Sequence, residues 1–166
     1  MISSCLLGVR CRYDGRDSLC EALTQVASRF SFIPFCPEQL GGLPTPRPAS
    51  NIFNGDGSDV LSGKGSVLNE QGVDVTENFI RGAMESLRLL ELSGASIALM
   101  KDKSPSCGLS TPYCDRPEGF GAGVTAALFR QKGVAIIEFK RGDSLTAEEL
   151  TGLLRKGDSY VRAGSY

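Results

Sequence analysis

Four short apolar runs, Met1-Ile2, residues 31–35, 96–100 and 134–139, alternate with stretches of helical periodicity, and a cysteine in a turn or loop follows three of the four. Ser18-x-x-Glu21 reads as a capping box that opens a helix with Leu19, Ala22, Leu23, Val26 and Phe30 on its apolar face. Thr76 is the expected N-cap of a second helix, whose stripe of Phe79, Ile80, Ala83, Met84, Leu87 and Leu90 ends at Gly94. Val124, Ala127 and Leu128 mark a third helix closed by Gly133, and Thr146-x-x-Glu149 caps a fourth through Leu150, Leu153 and Leu154. A strand followed by a helix, four times over, predicts an α/β fold. Such a chain builds a Rossmann-like three-layer sandwich, a mostly parallel sheet covered on both faces and joined by right-handed crossovers.

The connection over residues 37–73 is too long to be a bare loop in a compact domain. Asn54-Gly55 is a hairpin signal, and residues 59–61 and 66–68 are the predicted strands of a small β-flap inserted over about residues 48–73. At 166 residues the whole chain, 1–166, is expected to form one domain, with a tail at 157–166 that carries no pattern. The net charge of -1 shows no strongly basic nucleic-acid surface and favours a small substrate. Neither a secretory leader nor a run approaching about 18 apolar residues is present, so the expected location is cytoplasmic, with no membrane partner.

The cysteines carry the chemistry. Cys5 follows Met1-Ile2, Cys36 closes Phe32-Ile33-Pro34-Phe35, and Cys107 lies in the Ser104-Pro105-Ser106-Cys107-Gly108 turn beyond the third run. If those strands lie parallel and adjacent, three thiols meet at the sheet edge where open α/β folds bind ligands. Six cysteines in a chain of this kind indicate metal binding or reactivity before a disulfide framework. There is no histidine, which removes Cys/His zinc sites, Ser-His and Cys-His pairs and a histidine base. Two metal readings remain: zinc completed by a fourth thiolate from Cys11 or Cys114, or an iron-sulfur cluster with one iron left without a protein ligand. Arg47, between Pro46 and Pro48, is placed to hold an anion or a carbonyl, or to form a surface ion pair. Cys20 reads as a small packed hydrophobe. The Gly119-Phe120-Gly121-Ala122-Gly123 run could offer N–H groups to a phosphate, although it follows no predicted strand and lacks the usual fingerprints.

The segments SSCLLGVRCRYDG at 3–15, PFCPEQLGGLPTPRP at 34–48, GDGSDVL at 55–61, KSPSCG at 103–108 and GAGVTAAL at 121–128 together resemble the thiouracil desulfidase (TudS-like) family, formerly domain of unknown function 523. The resemblance covers roughly residues 1–140. It implies a four-iron four-sulfur cluster held by Cys5, Cys36 and Cys107, whose open iron takes the sulfur of a thiolated pyrimidine so that water attacks the carbon and hydrosulfide leaves. It further implies Glu38, of the CPE motif, as acid/base and Ser104, the first serine of SPSCG, as its polar partner, with Ser106 as rival. Cys11 and Cys114 are open between fourth ligand, sulfur acceptor and bystander, the last preferred. Tyr13 and Asp14 are expected near the pocket, or in an ordinary turn. Where the family pattern places an acidic residue after the RPxP-type segment, this chain has Ser50. The expected substrate is a free thiolated base or nucleoside, with thiolated tRNA disfavoured. The competing classes are a zinc-binding or thiol-redox protein, and a nucleobase-binding module without a cluster.

Overall fold

Parallel strands need long crossovers, and this chain supplies them. In the computed structural model, which describes residues 1–110, 113–114, 121–139, 143 and 146–156, the strands β1 (Ile2–Ser3), β2 (Pro34–Phe35), β5 (Ile97–Lys101) and β6 (Ala135–Phe139) form one parallel sheet in the order β2-β1-β5-β6. Ile2 pairs with Pro34 on one side and Leu99 on the other. The chain thus starts in the middle of the sheet, steps out to β2, and returns to build β5 and β6 on the opposite side. That reversal opens a crevice beyond the carboxyl ends of β1 and β5, the place where such sheets bind ligands.

The strand residues alternate between two cores, as a pleat of period two requires. Ala98, Met100 and Ile136 join Phe79, Ala83, Leu87 and Leu90 of α4 (Thr76–Ser93) and Phe129 of α5 (Val124–Gln131). Ile2, Leu99, Ile137 and Phe139 meet Leu23 and Val26 of α1 (Glu21–Val26) and Leu150 of α6 (Ala147–Lys156). The result is the expected three-layer, Rossmann-like sandwich. Phe79, Ala83, Leu87 and Leu90 follow the predicted stripe and Gly94 ends the helix at φ 67°, but Met84 is exposed. The Thr146–Glu149 capping box forms, with reciprocal bonds of 2.9 and 3.2 Å.

Three sequence expectations are corrected. The Ser18 box does not cap α1, because the Ser18 hydroxyl accepts Arg12 Nη1 at 2.7 Å; the helix begins at Glu21, and Leu19 is exposed. Thr76 opens α4 but does not cap it: its hydroxyl accepts the N–H of Val67 at 2.8 Å, while Asp74 Oδ1 accepts the N–H of Thr76 at 2.8 Å. In the flap, residues 57–61 form a helix, α3 (Gly57–Leu61), because Asp56 and Asp59 close a capping box. The hairpin pairs β3 (Ser50–Phe53) with β4 (Ser66–Asn69), so α3 lies between its strands. Gly119, Phe120, the tail at 157–166 and the side chain of Leu154 lie outside the described residues.

Candidate active site

β1 ends at Ser3 and runs into a single 3-10 turn, Ser4–Leu7, that carries Cys5 and closes on Gly8 at φ 87°. β2 ends at Phe35, and Cys36 is the N-cap of the one-turn helix α2 (Pro37–Leu40), with Pro37 at its first position and Glu38 in its first turn. Gly41, just past α2, lies so close to the backbone of Asn78 in α4, and Gly82 of α4 so close to that of Pro37, that neither position has room for a β-carbon. Backbone contact therefore sets where Cys36 and Glu38 stand.

The SPSCG turn is bolted down from three directions. The Ser104 hydroxyl accepts the N–H groups of Ser106 (3.2 Å) and Cys107 (3.1 Å). The first N–H groups of α5, from Val124, Thr125 and Ala126, go to the carbonyls of Pro105 and Ser106 at 2.8 to 3.1 Å, and a β-carbon on Gly123 would sit 2.6 Å from the Ser106 carbonyl carbon. The glycines before α5 thus serve close packing against the turn, and the N–H groups that a phosphate would need are taken. Glu138 on β6 holds the far side, accepting Leu109 N–H at 2.6 Å, Ser110 N–H at 3.2 Å and the Ser110 hydroxyl at 2.7 Å.

These elements enclose a cavity of about 580 Å³ beyond β1, β2 and β5, within the usual size range of small-molecule sites. Cys5, Cys36, Cys107, Glu38 and Ser104 all line it, as do Cys11, Arg47, Lys101 and Asp102, with Tyr13, Tyr113 and Asn51 among its remaining lining residues. The thiols meet in one cavity, not at one point. Among the described residues, no three Cys, Asp or Glu side chains gather closely enough to hold a single metal ion. A tetrahedral zinc needs four donors within about 2.3 Å of one centre, whereas a cluster spreads its cysteine ligands over separate irons. Thiolates are the usual ligands of iron-sulfur clusters, and the chemistry of this donor set, cysteines with no histidine, suits such a group. All six cysteines stand outside disulfides.

Glu38 has two partners. Arg47 Nε donates to its Oε2 at 2.6 Å, and the Ser106 hydroxyl donates to its Oε1 at 3.1 Å. The hydroxyl that reaches Glu38 is thus that of Ser106, while Ser104 organises the turn and forms part of the cavity wall. Arg47 is itself buried and also gives two N–H bonds, each 3.1 Å, to the carbonyl of Cys11, along with Pro44 O at 3.1 Å. Of the sequence options for Arg47 the structure shows the ion pair, buried instead of at the surface.

Without metal, the thiols of Cys11, Cys36 and Cys107 are held protonated. Burial, ahead of the charges of Cys36, Glu38 and Cys11, pushes Cys107 up to about 12, against a hydrogen bond from Ser3 that lowers it. The hydrogen bond between Cys11 and Cys36 lowers Cys11, but one to Cys5 and desolvation outweigh it, leaving Cys11 at about 11. The same Cys11 contact, followed by burial, raises Cys36 strongly.

The profile of the 2-thiouracil desulfurase family matches residues 1–140. The chain belongs to that family. The protein is 39% identical over 140 residues to the uncharacterized protein YbbK of Bacillus subtilis (strain 168), covering 82% of this chain and 93% of that one. It is also similar to the solved structure of the [4Fe-4S]-dependent thiouracil desulfidase TudS, at 38% identity and a TM-score of 0.71, over 92% of this chain and 95% of the other.

Sequence reasoning placed Cys5, Cys36, Cys107, Glu38 and Ser104, and the fold brings all five to one cavity. It underrated Cys11, which touches both Cys5 and Cys36, and missed Lys101 and Asp102, although both sit at the end of β5 where the strand-end argument pointed. Asp14 is not part of the cavity lining. It accepts from Arg12 at 3.2 Å and Arg16 at 3.0 Å, contacts that outweigh its partial burial and lower its carboxyl to about 2. Cys20 packs in the α1/α6 core, as its bland reading had it. Cys114 packs against the α4/α5 core, outside the cavity lining.

Proposed function

We propose that this chain hydrolyses the carbon-sulfur bond of a thiolated pyrimidine, replacing the thiocarbonyl sulfur with oxygen from water and releasing hydrosulfide. No electrons are transferred: one water enters, and one hydrogen sulfide leaves. The observation that carries the reading is the meeting of Cys5, Cys36 and Cys107 with Glu38 in the cavity beyond three adjacent parallel strands. Family membership and the likeness to TudS support it.

Cys5, Cys36 and Cys107 would hold a four-iron four-sulfur cluster. When bound, that group supplies a soft Lewis acid at the iron that lacks a protein ligand. Glu38 acts as the acid/base. Arg47 on Oε2 and Ser106 on Oε1 fix its plane and leave lone pairs for the proton of the attacking water. Ser104, whose oxygen accepts two backbone N–H groups, retains its own hydroxyl proton for the substrate or the departing sulfur. Tyr13 and Tyr113 are half-exposed lining residues, suited to flank a planar base, and Asn51 offers both an amide donor and an acceptor to its edge. Phe35, Pro37 and Pro105 keep the inner wall apolar. The near-neutral chain favours a free base or nucleoside over tRNA, and a cytoplasmic setting suits the oxygen-sensitive group.

Anaerobic reconstitution with iron and sulfide, beside a Cys107→Ser control, tests this reading. The expected result is about four irons per chain, a brown protein, and sulfide released from 2-thiouracil or 4-thiouracil, with the control losing both iron and activity. A wild-type chain that remains colourless and releases no sulfide would refute it.

A further inference from the structure

Lys101 and Asp102 line the cavity and have no role in the hydrolysis described above. Lys101 is the last residue of β5, and its backbone N–H donates to the Ser3 hydroxyl on β1 at 3.2 Å. Asp102 follows it, is 3% exposed, and gives its own N–H to the carbonyl of Phe139 on β6 at 2.9 Å. The two flanking strands thus fix the backbone that carries both side chains. Lys101 Nζ donates to the Asp102 carbonyl at 2.7 Å and to Asp102 Oδ1 at 2.9 Å, and only 14% of the lysine side chain is exposed. An ammonium carries three N–H donors, and among the described residues Asp102 takes two of them. The third belongs to a mostly buried cation in the cavity wall and is left to whatever the cavity holds. Two other cavity cations are spent on protein acceptors: Arg47 on Glu38 and the Cys11 and Pro44 carbonyls, Arg12 on Asp14 and the Ser18 hydroxyl.

We infer that Lys101 is a specificity-determining residue: its third N–H takes the carbonyl oxygen that a thiolated pyrimidine keeps, while Asp102 holds the ammonium in place. The inference rests on the desulfidase reading above. Lysine only donates, so its partner on the ring must be an acceptor. A thiouracil ring offers two exocyclic acceptors, one sulfur and one oxygen, and both its ring nitrogens carry protons. The sulfur suits a soft iron, and the oxygen suits a hard ammonium. Two unlike partners fix which way round the ring lies, so that the thiocarbonyl carbon and not the carbonyl carbon is presented to water. Because Asp102 already balances the lysine charge, a neutral carbonyl fits this donor better than an anion would.

The experiment compares full-length wild type, Lys101→Met, and the double variant Lys101→Met with Asp102→Asn. Each is reconstituted anaerobically with iron and sulfide, assayed for iron, and checked for folding by circular dichroism. Sulfide release is measured from 2-thiouracil and from pyrimidine-2-thione, which lacks the ring carbonyl. Inhibition by the two products, uracil and pyrimidin-2-one, reads binding apart from turnover. Wild type is expected to favour 2-thiouracil in kcat/KM, and uracil as inhibitor, by about tenfold to hundredfold, the worth of a hydrogen bond to a charged group. In both variants that preference collapses while the iron content stays at the wild-type value. A purely structural ion pair would weaken the two ligands alike and leave the preference intact. If Lys101→Met does not fold, the double variant, which strands no charge, carries the test. Equal constants for the two ligands in wild type, or a preference retained in a folded variant, overturn the inference while the desulfidase reading stands. A wild-type chain that takes up no iron and releases no sulfide from 2-thiouracil overturns both.

Discussion

Arg47 is the residue whose removal the structure makes most informative. Its side chain is 4% exposed and that of Glu38 14%, and the two meet at 2.6 Å. The guanidinium also caps the Cys11 carbonyl, so the CPE turn, the Cys11 loop and the proline segment are joined through one cation. Arg47→Met keeps most of the apolar stem and deletes the charge, leaving Glu38 with the Ser106 hydroxyl and the Cys11 carbonyl without its two donors. Breaking one side of a buried pair costs about 3–5 kcal/mol. Since Glu38 retains some solvent, the lower end applies, about 3 kcal/mol. For a chain of this length that lowers the melting temperature by on the order of 10 °C. Glu38→Gln in the same background removes the stranded charge, so the double variant should recover part of the loss, with a coupling of about 2 kcal/mol. Urea unfolding of the reduced, metal-free chain followed by circular dichroism reads all four corners of this cycle. A cost below about 1 kcal/mol for Arg47→Met, or strict additivity, would refute the argument that the pair is buried and coupled.

Gly82→Ala should destabilise by about 1–3 kcal/mol despite alanine's better helix propensity, because its β-carbon collides with the Pro37 carbonyl, and α2 must shift with Cys36 and Glu38. Gly72→Ala is the urea-denaturation control for a glycine: its φ of 77° strains any substitute, yet no neighbour stands in the way. Glu138→Ala removes the acceptor of three bonds to residues 109–110 and should cost about 2–3 kcal/mol in the same assay, with faster proteolysis of the segment after Cys107. The metal-free chain should also lose stability in alkali. Unfolded cysteines ionise near the ordinary value of 9.0, while folded Cys11 and Cys107 retain their protons to about 11 and about 12, so the unfolded state becomes the less protonated one and stability falls as pH rises through that window. Urea midpoints measured from pH 8 to 11 should fall less steeply for Cys107→Ala than for wild type; equal slopes would contradict the burial argument.

The helices and strands were legible where local chemistry and tertiary packing agree. Phe79, Ala83, Leu87 and Leu90 recur at helical spacing, Gly94 and Gly133 stop their helices in left-handed conformations, and Thr146 with Glu149 forms the box its spacing announced. The misreadings came where a side chain had a choice of partner. Ser18 could cap a helix or accept from Arg12, and Arg12 won; residues 59–61 read as a strand and became helical because Asp56 caps them, while its other oxygen accepts the N–H of Ala122 at 3.3 Å. Such competition is settled by groups distant in the sequence, and periodicity carries no record of it.

The site divides along the same line. By itself the sequence determined the residue types at the strand ends, the exclusion of histidine chemistry, and the alternation that makes a parallel sheet, because turns and periodicities are local properties of the chain. Only the tertiary structure decided that Arg47 would hold Glu38, that Ser106 and not Ser104 would be the hydroxyl on that carboxylate, and that Cys11 would sit between Cys5 and Cys36. Those pairings join positions up to 68 residues apart, and they exist because placing β1 between β2 and β5 brings three strand ends to one edge, where each buried polar group must find a partner.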